Sequence, residues 1–186
     1  MSEPIHHRRS IRISEYDYSQ PGAYFITICT WQKHPLFGEI VNGEMKLNFG
    51  GQIVENQIAK IPNWFSHIEI NSFVVVPDHV HMIIEIITHD RCRGTADAGV
   101  DKLQGLTRHA PTEQFGHPIP GSIPTIIRTF KSSISYNLHL TRDFRNTPIW
   151  QRNYYEHIIR TQPEWEQIHI YIVSNPANWL NDDQYE

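Results

Sequence analysis

The stretch FVVVPDHVHMIIEI, residues 73–86, holds two apolar β-rich runs broken by Pro77-Asp78. A Pro-Asp pair favours a turn and proline gives no ladder donor, so Ile68–Val76 and His79–Ile87 read as adjacent antiparallel strands. Side chains alternate faces along a strand, which puts His79 and His81 on one face and Val80 and Met82 on the other. Val74, Val75, Val76, Ile83 and Ile84 around them mark a central strand pair, not an edge.

Upstream, GAYFITICTW (residues 22–31) is rich in aromatic and β-branched residues and reads as a strand. FGEIVNGEMKLN follows, with Asn42-Gly43 between short alternating runs, a hairpin signal. Residues 50–64 carry Ile53, Ile58 and Ile61 among polar residues and predict an amphipathic helix ending near Pro62. Downstream, residues 88–120 lose all periodicity and read as a long mobile loop. Helical spacing returns in SIPTIIRTFKSSISYNLHL, where Ile126, Phe130, Ile134 and Leu138 recur every four residues. Ile149–Ile159 reads as a strand with polar interruptions. A last helix begins around Pro163, capped by Thr161 or Gln162, and is expected to stop before Pro176.

This order predicts an α+β fold: a ferredoxin-like βαββαβ antiparallel sheet with helices on one face, plus a small hairpin and a C-terminal helix. One domain, 1–186, is expected, with a basic N-terminal arm (1–20) and the variable loop (88–120). There are no internal repeats. That fold hosts many unrelated activities, so function must be argued from particular side chains.

Composition narrows the classes. A hydrophobic share of 39% and a charged share of 19% are those of a soluble globular protein. No apolar run is long enough to span a bilayer, and MSEPIHHRRS has no apolar segment behind its basic residues, so neither membrane insertion nor secretion is expected. Two cysteines, Cys29 in a strand and Cys92 in a loop, make no disulfide framework and fit a reducing compartment, the cytoplasm. The net charge of -4 argues mildly against a protein that coats nucleic acid, but its distribution is uneven. Arg8, Arg9 and Arg12 crowd the N-terminus, and between Gly121 and Arg160 six basic residues face two acidic ones. Beyond Arg160 there are five acidic residues and no Lys or Arg. A basic middle can hold a phosphate backbone; a solvated mixed surface explains the same pattern.

Three groups of residues can carry chemistry. Two imidazoles on one face of a rigid strand, His79 and His81, can offer two nitrogens to one divalent ion, although twelve histidines make chance pairs common and, from the spacing alone, two core-flanking histidines are the simpler reading. In EWEQIHIYIVSNPANW, Trp165, Ile168 and Ile172 form one stripe, with Tyr171 beside it and Asn175 four residues further on. A phenol with an ordinary pKa of about 10 needs a cation or a base to become a nucleophile, and a half-buried core tyrosine is the simpler reading. In PIWQRNYYEHIIR, Trp150, Tyr154 and Tyr155 lie among Arg152 and Arg160, a mixture suited to stacking bases and holding phosphates, or to an ordinary aromatic strand.

Together these segments resemble the REP-associated tyrosine transposases, single-tyrosine members of the HUH superfamily, which is named for two histidines around a hydrophobic residue. RRSIRISEYDYSQPGAYFITICTWQKHPLFGEI is similar to the family's N-terminal segment, VVVPDHVHMII to its metal-binding strand, GSIPTIIRTFKSSIS to the helix after its variable loop, and IWQRNYYEHIIR with YIVSNP to its closing signature. The family commonly has Met-Pro-Asn-His where this chain has Val76-Pro77-Asp78-His79. Residues 88–120 match no family pattern.

The resemblance implies a metal-dependent DNA transposase. Tyr171 is the implied nucleophile, while His79, His81 and Asn175 are the implied ligands of Mg²⁺ or Mn²⁺ held on a scissile phosphate. Attack would leave a 5′-phosphotyrosine and a free 3′-hydroxyl, and a second 3′-hydroxyl would rejoin the strand. The implied partner is single-stranded or hairpin DNA from palindromic repeats, handled by a monomer or a homodimer. Arg8, Arg9 and Arg12 are candidates for reading bases beside the hairpin, with Lys131 and Arg152 for the backbone and Trp150 for stacking. Two rivals stand beside this reading. One is a binding module, including a domesticated transposase without cleavage. The other is a nucleotide phosphohydrolase, which is disfavoured because position 83 is isoleucine in place of a third histidine and no phosphate-cradling Gly-rich loop is present.

Overall fold

A computed structural model describes residues 16–87, 119–141, 144–145 and 147–179; the arm up to residue 15, Cys92 and most of the 88–120 loop lie outside them. Alternating strand patterns pair as expected. Strands β1 (Gly22–Cys29), β4 (Ile68–Val76), β5 (His79–Ile86) and β6 (Tyr155–Ile159) form one antiparallel sheet in the order β4-β5-β1-β6. Helix α1 (Phe49–Trp64) connects β1 to β4 and helix α2 (Ile123–His139) connects β5 to β6, which completes the ferredoxin-like βαββαβ arrangement. The hairpin β2 (Gly38–Val41) and β3 (Glu44–Leu47) turns through Asn42 and Gly43, both at positive φ (55° and 78°), the conformation for which Asn-Gly is suited. No helix of the described residues is long and apolar enough to cross a membrane.

The sheet has two faces with different neighbours. Tyr24, Ile26 and Ile28 of β1 and Val80, Met82 and Ile84 of β5 point toward α1 and α2 and form the large core with Ile58, Ile61, Ile126, Phe130 and Ile134. The alternate residues Phe25 and Ile83 point the other way and meet Ile159 and helix α3 (Gln162–Asn178) through Ile168 and Ile172. His79 and His81 share the parity of Ile83 and therefore lie on the α3 face. A one-residue slip between β1 and β5 would turn both imidazoles into the larger core, so the burial of two opposed apolar sets fixes the register that defines the site.

Three expectations need correction. The C-terminal helix does not stop before Pro176 but runs through it to Asn178. Pro176 lies in the last turn, where its missing donor costs one intrahelical bond, and the buried stripe Ile168, Ile172 and Asn175 holds the segment against the sheet. Helix α1 ends at Trp64, near Pro62 as expected, closed by the Phe65 N–H donating to the Ile61 carbonyl at 3.0 Å. The strand expected over 149–159 is shorter: only Tyr155–Ile159 belongs to the sheet, and Trp150 makes an isolated bridge to Thr30. Residues 16–20 are not part of a free arm, because Tyr18 is buried and its carbonyl accepts from Ile123 N–H at 3.0 Å. Thr161, one of the two cap candidates, takes the N-cap of α3 and accepts from the Glu164 N–H.

Among the described residues five buried apolar side chains, with partly buried neighbours such as Val74 and Trp165, form the layer between the sheet and α3, so each counts heavily. Ile83→Ala is expected to cost about 2–5 kcal/mol in urea denaturation. It should also raise backbone hydrogen exchange along α3 more than along α1, which stands on the other core. Equal loss of protection in both helices would show that the layer does not seat α3.

Candidate active site

The site is built on the turn between β4 and β5. The side-chain nitrogens of His79 and His81 converge, with Nε2 to Nε2 at 2.9 Å. Each ring is gripped from behind at Nδ1. Asp78 Oδ1 lies 2.8 Å from His79 Nδ1, and Thr27 Oγ1 lies 2.8 Å from His81 Nδ1. Thr27 stands directly across the β1–β5 ladder from His81, so the strand register itself supplies this partner. An ionised carboxylate only accepts, so neutral His79 keeps its proton on Nδ1 and presents Nε2 as a lone pair toward His81. Thr27 can either donate or accept, and it accommodates either tautomer of His81. His79 and His81 are 9% and 2% exposed, so neither ring is a freely rotating surface group.

Helix α3 brings Tyr171 across the sheet. Its phenolic oxygen lies 3.1 Å from His81 Nε2, and its ring packs edge-on to His81 and Phe25 with centroids 5.1 and 6.1 Å away. Phe25 in turn stacks on the His81 ring at 5.3 Å, fixing the imidazole plane. Asn175 lies one turn beyond Tyr171 in the buried stripe, with 1% exposure. Three heteroatoms, the two Nε2 atoms and the Tyr171 oxygen, thus gather at one point between β5 and α3.

The far end of α3 is tied to the same turn. The indole N–H of Trp179 donates to Asp78 Oδ1 at 3.0 Å, the oxygen that also holds His79. Burial works to raise the Asp78 pKa, but the hydrogen bonds from His79 and Trp179 outweigh it and keep the carboxyl below its usual range. One carboxylate therefore joins His79 to the end of the helix that carries Tyr171.

The donor set fits a hard or borderline divalent cation. Neighbouring ligand atoms on an octahedral ion bonded at about 2.1 Å are about 3 Å apart, close to the Nε2 separation of 2.9 Å. Backing groups at both Nδ1 atoms are the outer-shell pattern of metal-binding histidines. Among the described residues no cluster of three or more His, Cys, Asp or Glu forms, so an ion here would complete its sphere with neutral oxygens, from an amide such as Asn175 or from water.

The remaining sequence candidates fall elsewhere. Tyr155 is on the α3 face, with its ring centroid 6.3 Å from that of Phe25, whereas Tyr154 packs on the larger core beneath Lys131. Lys131 donates to the carbonyls of Gln151 and Asn153 at 2.8 and 2.9 Å, and burial lowers its pKa to about 8. Trp150 packs against Phe37 and Phe130, at 5.3 and 6.2 Å, and donates its indole N–H to the Lys131 carbonyl at 3.2 Å. Lys131 and Trp150 thus brace the segment leading into β6 and are not gathered with the histidines. Arg152 is exposed, and Arg8, Arg9 and Arg12 lie outside the described residues. Thr27 and Trp179 escaped the sequence reading. A threonine on the same parity as Phe25 was a usable signal for the first; the second has a partner 101 residues away and no local signal.

The overall arrangement of sheet and flanking helices has a counterpart among solved structures. The structure of a REP-associated tyrosine transposase bound to a REP hairpin shares the fold, with a TM-score of 0.57 and 19% identity over 92% of this chain and 74% of that one. The class defined at this level is therefore an α+β fold shared with a DNA transposase. At the level of sequence, an uncharacterized protein of Haemophilus influenzae is 39% identical over 181 residues, which cover 97% of this chain and 94% of that protein. The chain belongs to the same family as the Haemophilus protein. No protein-family model matches it.

The Trp179–Asp78 link makes a direct prediction. Trp179→Phe keeps an aromatic ring but removes the donor to a charged acceptor, and is expected to lower stability by about 1.5–3 kcal/mol. Exchange protection should fall first in the last turn of α3. Unchanged protection there would mean that the indole is a passenger.

Proposed function

We propose that the protein is a single-tyrosine DNA transposase that cleaves and rejoins single-stranded or hairpin DNA, with Tyr171 as nucleophile and a divalent metal held by His79, His81 and Asn175. The observation that carries this reading is the approach of the Tyr171 oxygen to within 3.1 Å of an imidazole whose neighbour lies 2.9 Å away. A core tyrosine needs no such partner pair, and a binding module needs no nucleophile facing two converging nitrogens. The fold shared with a REP-associated tyrosine transposase supports the same class.

In this reading the phenolic oxygen of Tyr171 forms a bond to phosphorus and the bond from phosphorus to the 3′ oxygen breaks. The 5′-phosphate stays on Tyr171, and the phenol proton passes through water to the released 3′ oxygen, which becomes the 3′-hydroxyl. The new phosphodiester retains the energy of the old one, so a second 3′-hydroxyl can reverse the step on another strand without a nucleotide cofactor. The residues of this chain act by position. Thr27 and Asp78 hold the imidazoles, Phe25 fixes the plane of His81, and α3 sets the distance of Tyr171. When bound, Mg²⁺ or Mn²⁺ would supply charge neutralisation at the scissile phosphate.

Two measurements test the proposal. Calorimetry with Mn²⁺ should give saturable binding to the wild type that is lost in the His79→Ala/His81→Ala double variant; equal affinity would remove both residues from the metal site. Incubation with labelled hairpin DNA and Mn²⁺ should give a covalent adduct that survives denaturation. Tyr171→Phe should abolish it while hairpin binding stays within a few-fold, and Tyr154→Phe and Tyr155→Phe should keep it. Adduct formation by Tyr171→Phe would reassign the nucleophile. Absence of any adduct from the wild type on a hairpin it binds would leave a binding module.

A further inference from the structure

A second feature lies on the α3 face, toward the opposite ends of the strands from the histidine pair. A cavity of about 400 Å³, open on its outer side to solvent, is lined by Ala23, Ile159, Trp165, Asn71, Glu85 and Arg160, with the first turn of α3. Ala23 precedes Thr27 by four residues on the same strand face, a separation of roughly 13 Å at about 3.3 Å per residue. Phe25 and the buried layer under α3 fill the direct path, so a strand that meets both the cavity and the imidazoles runs around α3 and spans more than the roughly four stacked nucleotides of the straight distance.

Its walls combine a ring surface with directed polar groups. Trp165 lines one side, with the His169 imidazole stacked on the indole at 5.2 Å and 14°. The β4–β5 register shifts between Ile70 and Ser72, and Asn71 at this irregularity donates its amide to Glu85 Oε2 at 2.7 Å. Bulges commonly re-aim a side chain in this way. The contact leaves the other carboxylate oxygen of Glu85 and the amide oxygen of Asn71 as acceptors, with the exposed Arg160 guanidinium as a donor beside them. Glu69 stands across the ladder from Glu85, and a second carboxylate at this corner opposes a phosphate. A neutral planar ring with amine donors and a carbonyl acceptor answers all of these groups.

We propose that this cavity receives an unpaired nucleobase of the strand held at the histidine–tyrosine site, with Trp165 giving ring contact and Glu85 selecting a base that carries an exocyclic amine (guanine, cytosine or adenine) over thymine. The proposal rests on the single-strand DNA reading above. It differs from a stacking role for Trp150, whose ring is packed into the core.

The test uses the full chain and labelled hairpins with single-stranded flanks, in which each flank position is replaced in turn by an abasic site. Binding is followed by fluorescence anisotropy, and the covalent adduct is measured in parallel on the same DNA. One flank position should stand out, with an abasic site there weakening wild-type binding about five- to 150-fold, the range of a stacked base. Thymine at that position should bind more weakly than an amine-bearing base, and Glu85→Gln should level the difference. Trp165→Phe, chosen to spare the layer beneath α3, should weaken binding only when that base is present. A flat abasic scan, or variants that keep the wild-type base profile, would overturn the proposal. With a normal wild-type adduct, that failure belongs to the cavity and leaves the strand-transfer reading standing. A base preference that shifts in Glu85→Gln without any wild-type adduct would support the cavity and remove the chemistry. Failure of the wild type to bind any of the DNAs would overturn both, and equally strong competition by free dCMP would make the cavity a mononucleotide site.

Discussion

The hydrogen bond between Thr27 and His81 is the interaction on which the site turns. It is possible only when β1 and β5 pair with Thr27 opposite His81, and that register is held by the apolar residues on both faces of the two strands. The same register lays Phe25 against the His81 ring and Ile83 beneath α3. Burial, pairing and the orientation of one imidazole are therefore a single constraint. The large core does not merely stabilise the site from a distance; it selects which face of β5 carries the histidines.

Helix α3 is held at its two ends by different means. Thr161 caps its start, while its first turn is tied back to β6 by Glu164, which accepts from His157 Nε2 at 2.7 Å and from the Arg160 N–H at 2.7 Å. These contacts lower the Glu164 pKa, with the Arg160 backbone donor the largest cause. At the other end Trp179 binds the Asp78 carboxylate. Between these ties the helix rests on a thin apolar layer, and Tyr171 projects from it toward His81. A displacement of α3 would move the phenol and disturb the Asp78 contact to His79 together, because one carboxylate serves both.

Most of the fold was legible in local patterns because alternation, an Asn-Gly turn and i, i+4 spacing each report a nearby physical requirement. The strands around Pro77-Asp78, the hairpin at Asn42-Gly43 and helix α2 follow from such signals. The misjudged boundaries are places where distant packing overrides a local rule. Pro176 ought to end α3, yet the stripe Ile168–Ile172–Asn175 and the Trp179 anchor carry the helix past it. Ile149 and Trp150 have strand-like composition, but their neighbourhood is set by Phe37, Phe130 and the Lys131 carbonyl, and only a single bridge to Thr30 remains. Within the site, the shared face of His79 and His81 was readable from alternation alone. The choice of Tyr171 over Tyr154 and Tyr155 was implied by resemblance; in the structure Tyr171 reaches His81 Nε2, Tyr154 lies on the opposite core, and Tyr155 has its ring against Phe25.

The central claim is that Tyr171 is the atom-level partner of the histidine pair in a covalent step on DNA. No Lys or Arg follows Arg160, so trypsin releases residues 161–186 as one peptide, separate from residues 153–160 with Tyr154 and Tyr155. Mass spectrometry of a nuclease-trimmed adduct is therefore the most direct measurement. The account predicts a nucleotide phosphate on the 161–186 peptide, localised by fragmentation to Tyr171 and not to Tyr185. A phosphate on residues 153–160, or on Tyr185, would contradict it.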